Sequence, residues 1–219
     1  MLPCRADPLT AHDTLDTLPD TGLVAELPLY QGIAFADVVL VDAPAAAADA
    51  CRLLLAETVL GFDTEAKPTF AKGEVSTGPH LIQLATADRV YLFPVRAQME
   101  HHLHHHGLQE ILESRRILKV GFGLGSDLAQ LRARLGIEAQ HVLDLSRALP
   151  SDQPRQTLGA KTAVARYLGR RMQKSKRTTT SNWAHPRLTE RQMLYAADDA
   201  HVALKVYRAA LAEGHLPQT

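Results

Sequence analysis

The chain has 219 residues, 24 Lys and Arg against 24 Asp and Glu for a formal net charge of zero, and is 46% hydrophobic and 22% charged. That balance suits one well-buried globular domain and argues against a highly basic nucleic-acid coat protein. No apolar run approaches a membrane span, and Met1 to Asp20 lacks the apolar middle of a secretory leader, so a cytoplasmic location with no membrane partner is expected.

Residues 1–25 are rich in Asp, Thr and Pro, lack periodicity, and read as a flexible extension before a domain over 26–214 and a tail over 215–219. Cys4 and Cys51 have no metal spacing and build no disulfide framework; Cys51, in an Ala/Leu-rich helix, reads as core. A strand is predicted over Val38–Val41, and Pro44 opens a helix running to Ala56. Thr58–Asp63 reads as a buried strand. Leu81–Thr86 and Val90–Val95, joined by Ala87-Asp88-Arg89, read as a hairpin. An amphipathic helix is predicted over Gln98–Glu113. Ile117–Val120 is the next strand, followed by the flexible turn Gly121-Phe122-Gly123-Leu124-Gly125. Ser126 is expected to cap a helix from Asp127 to Leu135 that stops at Gly136. Val142–Leu145 is a short strand, and helices then cover Leu158–Leu168 and about Thr189–Ala212. A hairpin followed by alternating strands and helices predicts an α/β fold: a central mixed β-sheet flanked by helices.

Chemistry gathers at three places. In Val59-Leu60-Gly61-Phe62-Asp63-Thr64-Glu65 two carboxylates leave an apolar strand on the same face, because side chains alternate along a strand. Such a pair repels itself unless a cation sits between them; a solvated turn accommodates it too. Asp127 follows the Gly-rich turn at a helix start, where the helix dipole alone favours a carboxylate. In Tyr195-Ala196-Ala197-Asp198-Asp199, Tyr195 and Asp199 share a helix face and Asp198 points about 100° away. A core tyrosine beside an exposed acidic pair gives the same pattern.

Charge is unevenly distributed. From Arg155 to Arg191 ten basic residues face one acid, Glu190, a local excess of nine positive charges. Such asymmetry suits steering of a polyanion toward carboxylates, and also a solvated basic face. Lys174, Lys176 and Arg177 are candidates for phosphate contact, and Trp183 reads as a packing residue rather than a base-stacking platform. His101-His102-Leu103-His104-His105-His106 places histidines four apart, but no acid or cysteine completes a metal site, so it reads as a solvent-facing helix start.

Taken in order, Phe62-Asp63-Thr64-Glu65, then Val120-Gly121-Phe122-Gly123-Leu124-Gly125-Ser126-Asp127-Leu128, then Tyr195-Ala196-Ala197-Asp198-Asp199 resemble the three motifs of the DEDDy 3′–5′ exonucleases. That superfamily contains RNase D, the Werner exonuclease domain and the proofreading domain of bacterial DNA polymerases. The resemblance runs from about Val38 to Ala212, and includes Leu81–Thr86 and Ser181-Asn182-Trp183 to Gln192, which resemble the Werner-like and RNase D-like branch.

The resemblance implies an RNase H-like fold and a site of Asp63, Glu65, Asp127, Tyr195 and Asp199. Oxygen-only ligands imply Mg²⁺ or Mn²⁺, as two ions held by Asp63, Glu65, Asp127 and Asp199, with no small-molecule cofactor. Asp63 would bridge the ions. Glu65 and Asp199 would complete the site that activates water, with Glu65 also meeting the terminal 3′-hydroxyl; Asp127 would serve the second ion. Tyr195 would orient the nucleophilic water. The implied partner is DNA or RNA with a free 3′ end, shortened to nucleoside 5′-monophosphates. A rival reading, a catalytically inactive nucleic-acid-binding module of the same fold, is opposed by the presence of all four carboxylates and the tyrosine. The 219 residues include neither the helical RNA-binding module of RNase D nor the Werner helicase, which leaves DNA and RNA both open.

Overall fold

The computed structural model describes residues 21–71, 73–95, 107–151, 156–173, 178 and 180–217. The histidine run His101–His106 and the cations Lys174, Lys176 and Arg177 lie outside these residues, as does Cys4. Within the stretch that shows no periodicity, α1 forms over Thr21–Glu26. A 3₁₀ turn at Phe35–Asp37 then leads into β1 at Val38–Leu40. Pro44 stands at the start of α2, Pro44–Leu54, where its missing N–H costs nothing.

Strand β2, Val59–Glu65, runs two residues beyond the predicted Asp63. The extension is held by β3, Leu81–Ala85, which pairs Glu65 with Leu81 and Asp63 with Gln83 in antiparallel register. Strand β4 is Val90–Pro94, as the hairpin pattern predicts. Helix α3 occupies Leu108–Glu113 after Gly107 (φ +87°); the rest of the helix predicted from Gln98 lies outside the described residues. Strand β5 is Leu118–Gly121 and β6 is Val142–Asp144.

Helix α4, Gly125–Gln130, begins one residue before Ser126, and Ser126 makes no cap. The carboxylate of Asp144, at the end of β6, instead accepts from the amides of Gly123 and Leu124, at 2.8 and 3.2 Å. It also accepts from Ser146 N at 3.0 Å, capping the short α5, Leu145–Ala148. One side chain thus fixes both the Gly-rich turn and the next helix start. A π-helical turn at Leu131–Leu135 continues α4, and Gly136 (φ +66°) stops it as expected. Helix α6 is Ala160–Leu168. Helix α7, Glu190–Ala212, opens with a capping box between Thr189 and Gln192.

The six strands form one mixed sheet in the order β1-β4-β3-β2-β5-β6, with β2 antiparallel to β3 and parallel to β5. Helices cover both faces, the α/β architecture predicted from the element pattern. On one face Leu60, Phe62, Ile82 and Phe93 pack with Cys51 and Leu54 of α2, Ile111 of α3 and Leu131 after α4. On the other, Leu81, Ala85 and Leu92 pack with Ala196, Ala197 and Ala200 of α7 and with Trp183. Alanines on α7 and a glycine on β2 let helix and strand approach closely: a Cβ at Gly61 would fall 2.0 Å from the Ala200 carbonyl oxygen. That approach places the middle of α7 over the end of β2. Among the described residues no helix is long and apolar enough to cross a membrane.

Candidate active site

Because β2 extends through Glu65, alternation sends Asp63 and Glu65 to the α7 face and Thr64 to the other. Above them α7 presents Asp199, 8% exposed. Ligand oxygens of Asp63, Glu65 and Asp199 all lie within 4.8 Å of one another. Three carboxylates so close repel strongly when ionised, and one hard divalent cation among them removes that repulsion. The donor set is all oxygen, so it fits Mg²⁺, Mn²⁺ or Ca²⁺ chemistry rather than structural zinc.

The adjacent aspartates of α7 part company. Asp199 joins the carboxylate group, whereas Asp198 turns to the segment before β1, where Oδ1 accepts from Ile33 N at 2.8 Å. A Cβ at Gly32 would meet this carboxylate at 2.1 Å, so the segment lies directly against it. Burial pushes the Asp198 carboxyl up to about 6, with the nearby Asp199 charge adding to the shift and the Ile33 amide opposing it.

Tyr195 precedes Asp199 by one turn on the same flank of α7, and its ring lies 6.1 Å from that of Trp183, at a 40° tilt. Trp183 is 2% exposed, which makes it a packing support for the tyrosine, as expected.

Asp127 is not among the three carboxylates that lie within 4.8 Å of one another. Thr64, on the opposite face of β2, donates from its hydroxyl to Asp127 Oδ1 at 2.5 Å, and Ser126 Oγ approaches Oδ2 at 3.4 Å. Burial pushes the Asp127 carboxyl upward, and these hydrogen bonds pull it back.

Three supporting residues escaped the sequence reading. Asp144 holds the turn from which Asp127 emerges; an Asp closing a strand before Leu-Ser was a legible N-cap signal. His80 donates its backbone N–H to the Glu65 carbonyl at 2.7 Å, and its Nδ1 accepts from Lys67 N at 3.1 Å, fastening the chain just beyond Glu65. Burial, with Arg134 and Lys67 nearby, pushes this imidazole down and favours its neutral form. Gln83, fully buried and directly across from Asp63, has no hydrogen-bond partner for either amide atom among the described residues. Nothing in a run such as Leu81-Ile82-Gln83-Leu84 marks it in advance.

A mixed sheet with an acidic strand end, an aspartate after the neighbouring parallel strand, and a tyrosine and aspartate on a helix across it is the arrangement that the resemblance to the DEDDy exonucleases implies. A family model for the 3′–5′ exonuclease domain matches residues 38–212, and the chain belongs to that family. It is 30% identical over 152 residues to the mouse bifunctional 3′–5′ exonuclease/ATP-dependent helicase WRN, covering 68% of this chain and 11% of that protein. Similarity to the exonuclease mut-7 homolog of Aedes aegypti is 30% over 182 residues, covering 74% of this chain and 24% of that one. The chain therefore spans a quarter or less of these two relatives. The fold is also that of Trypanosoma brucei RNase D, solved in complex with RNA U12, with a TM-score of 0.69 at 20% identity over 86% of this chain and 64% of that one.

Proposed function

We propose that residues 26–214 form a catalytic unit that hydrolyses phosphodiester bonds from the 3′ end of DNA or RNA and releases nucleoside 5′-monophosphates. The observation that carries this reading is the convergence of Asp63, Glu65 and Asp199 within 4.8 Å, beside Tyr195, in a chain of the 3′–5′ exonuclease family. Two divalent ions, Mg²⁺ or Mn²⁺, would there activate water and stabilise the leaving oxygen of an in-line displacement.

The protein's own residues divide the remaining work. Asp63, on the same face of β2 as Glu65, would be the carboxylate shared between the two ions. Glu65 and Asp199 close the inner site, and Glu65 reaches the terminal 3′-hydroxyl. Asp127, carried on α4 and held by Thr64, serves the outer position. Tyr195 orients the attacking water through its hydroxyl, a positioning task. The test offers single-stranded DNA, duplex DNA with a recessed 3′ end, and RNA, each with Mg²⁺ or Mn²⁺, to wild type and Asp63→Ala. Stepwise shortening from the 3′ end by wild type alone is expected. No shortening of any substrate by a protein that still binds the metal would sink the reading.

A further inference from the structure

One turn before the tyrosine lies a second polar feature. Thr178, Ser181, Asn182, His185, Arg187 and Arg191 line an open cavity of about 500 Å³ where the chain enters α7. The leading amides of α7 do not create it, because Thr189 and Gln192 engage each other there as a capping box. Its chemistry comes from side chains: two guanidinium groups, an imidazole, a carboxamide and hydroxyls, with no acid among the described lining residues. The wall is fastened from within, since Ser181 Oγ donates to the Thr178 carbonyl at 2.7 Å and accepts from Gln192 Nε2 at 3.1 Å. A cationic, donor-rich cavity suits an oxyanion, and arginine forks match phosphate oxygens in particular.

Position supplies the rest. Arg191, Tyr195 and Asp199 follow at intervals of four along α7, so Arg191 lies on the flank of the helix that carries the site, about 6 Å of axial rise before Tyr195 and about 12 Å before Asp199. A strand whose 3′ end rests among Asp63, Glu65 and Asp199 has further phosphates at distances of this order.

We propose that this cavity holds a backbone phosphate of the substrate strand, within the first few linkages on the 5′ side of the bond being cut. The inference rests on the exonuclease reading and adds the direction in which the strand leaves the carboxylates. It is tested by binding of fluorescent single-stranded DNA and RNA, each carrying one uncharged methylphosphonate linkage stepped inward from the 3′ end. The proteins compared are Asp63→Asn and the same protein with Arg187→Gln and Arg191→Gln; both arginines are exposed, and melting temperatures confirm that the fold is kept.

At one linkage position the uncharged group should weaken binding roughly fivefold to tenfold, and that penalty should vanish when the arginines are replaced. The slope of log affinity against log salt should become shallower by about 0.7 for each phosphate no longer neutralised. Penalties that are equal in the two proteins at every position, or absent, would overturn the proposal. Whichever strand shows the arginine-dependent penalty identifies the backbone, deoxyribose or ribose, that the cavity accepts. Wild type is assayed for 3′ shortening in parallel: absence of shortening removes the exonuclease reading, whereas shortening without an arginine-dependent linkage removes only this inference.

Discussion

The two faces of β2 handle acids differently. On the α7 face Asp63 and Glu65 meet Asp199, and three carboxylates share one small volume. Across the strand, Thr64 meets Asp127 alone and donates a hydroxyl to it. A single carboxylate is stabilised by a hydrogen-bond donor, but three together need a cation to be ionised at once. Through alternation of its side chains, one strand offers two carboxylates to Asp199 on one face and a hydroxyl to Asp127 on the other.

The largest effect should separate those faces. Asp63→Ala removes one of the three grouped carboxylates and should lower the rate of 3′ shortening by about a thousandfold. Thr64→Val keeps the α7 face intact and only releases Asp127, so a loss of roughly tenfold or less is expected, in kcat rather than KM. Steady-state rates on one labelled oligonucleotide decide this. Equal losses in the two variants would mean that the Thr64 hydrogen bond to Asp127 is as indispensable as the Asp63 carboxylate.

Next in size is the contrast between the neighbours on α7. Asp199→Ala should abolish shortening with little loss of stability, since relief of repulsion among the carboxylates offsets the packing that the side chain supplied. Asp198→Ala should do the reverse, because Ile33 N loses its acceptor, at a cost of about 1–3 kcal/mol in urea unfolding, while folded molecules stay active. An inactive, fully stable Asp198→Ala protein would reverse the assignment of the two aspartates.

Much of this division was legible beforehand, and the exceptions have physical causes. Asp63, Glu65, Tyr195 and Asp199 were readable because strand and helix periods fix which side chains share a face, and the segments carrying them are strongly apolar. Asp127 was found by its motif, but its engagement with Thr64 depends on how β5 and α4 pack beside β2, which no local pattern encodes. The choice between Asp198 and Asp199 followed from the period of α7; what Asp198 does instead required the segment at Ile33, a pairing between residues 165 positions apart. Ser126 failed as a cap because α4 starts at Gly125 with Leu124 at its N-cap, which puts Ser126 inside the first turn, while Asp144 holds the preceding turn by the Gly123 and Leu124 amides. The strand prediction stopped short at Asp63 because polar residues read locally as a strand end, whereas pairing with β3 continues it.

The smallest effect compares two buried polar residues, one on each face. Gln83 lies on the α7 face opposite Asp63, and Lys119 lies on the other beside Leu60; both are fully buried. Lys119 Nζ donates to the carbonyls of Ile111, Ser114 and Ile117, at 3.3, 2.7 and 2.8 Å, so this cation closes the C-terminal end of α3, where a helix favours positive charge. Gln83 has no such satisfaction among the described residues. Lys119→Met should therefore cost about 1–3 kcal/mol at pH 7, and Gln83→Leu should be neutral or stabilising by about 1 kcal/mol. Burial also pushes the Lys119 amine down to about 8. Since an unfolded lysine stays protonated to about 10.4, the unfolded chain binds more protons between these values, and the Lys119 contribution to stability rises with pH across that window. Urea midpoints at pH 7 and pH 10 check both statements: the gap between wild type and Lys119→Met should widen at the higher pH, whereas the gap between wild type and Gln83→Leu should stay constant. A Gln83→Leu protein as destabilised as Lys119→Met would show that the amide beside Asp63 is engaged after all, and the two faces would then be alike in their interiors and different only at the strand end.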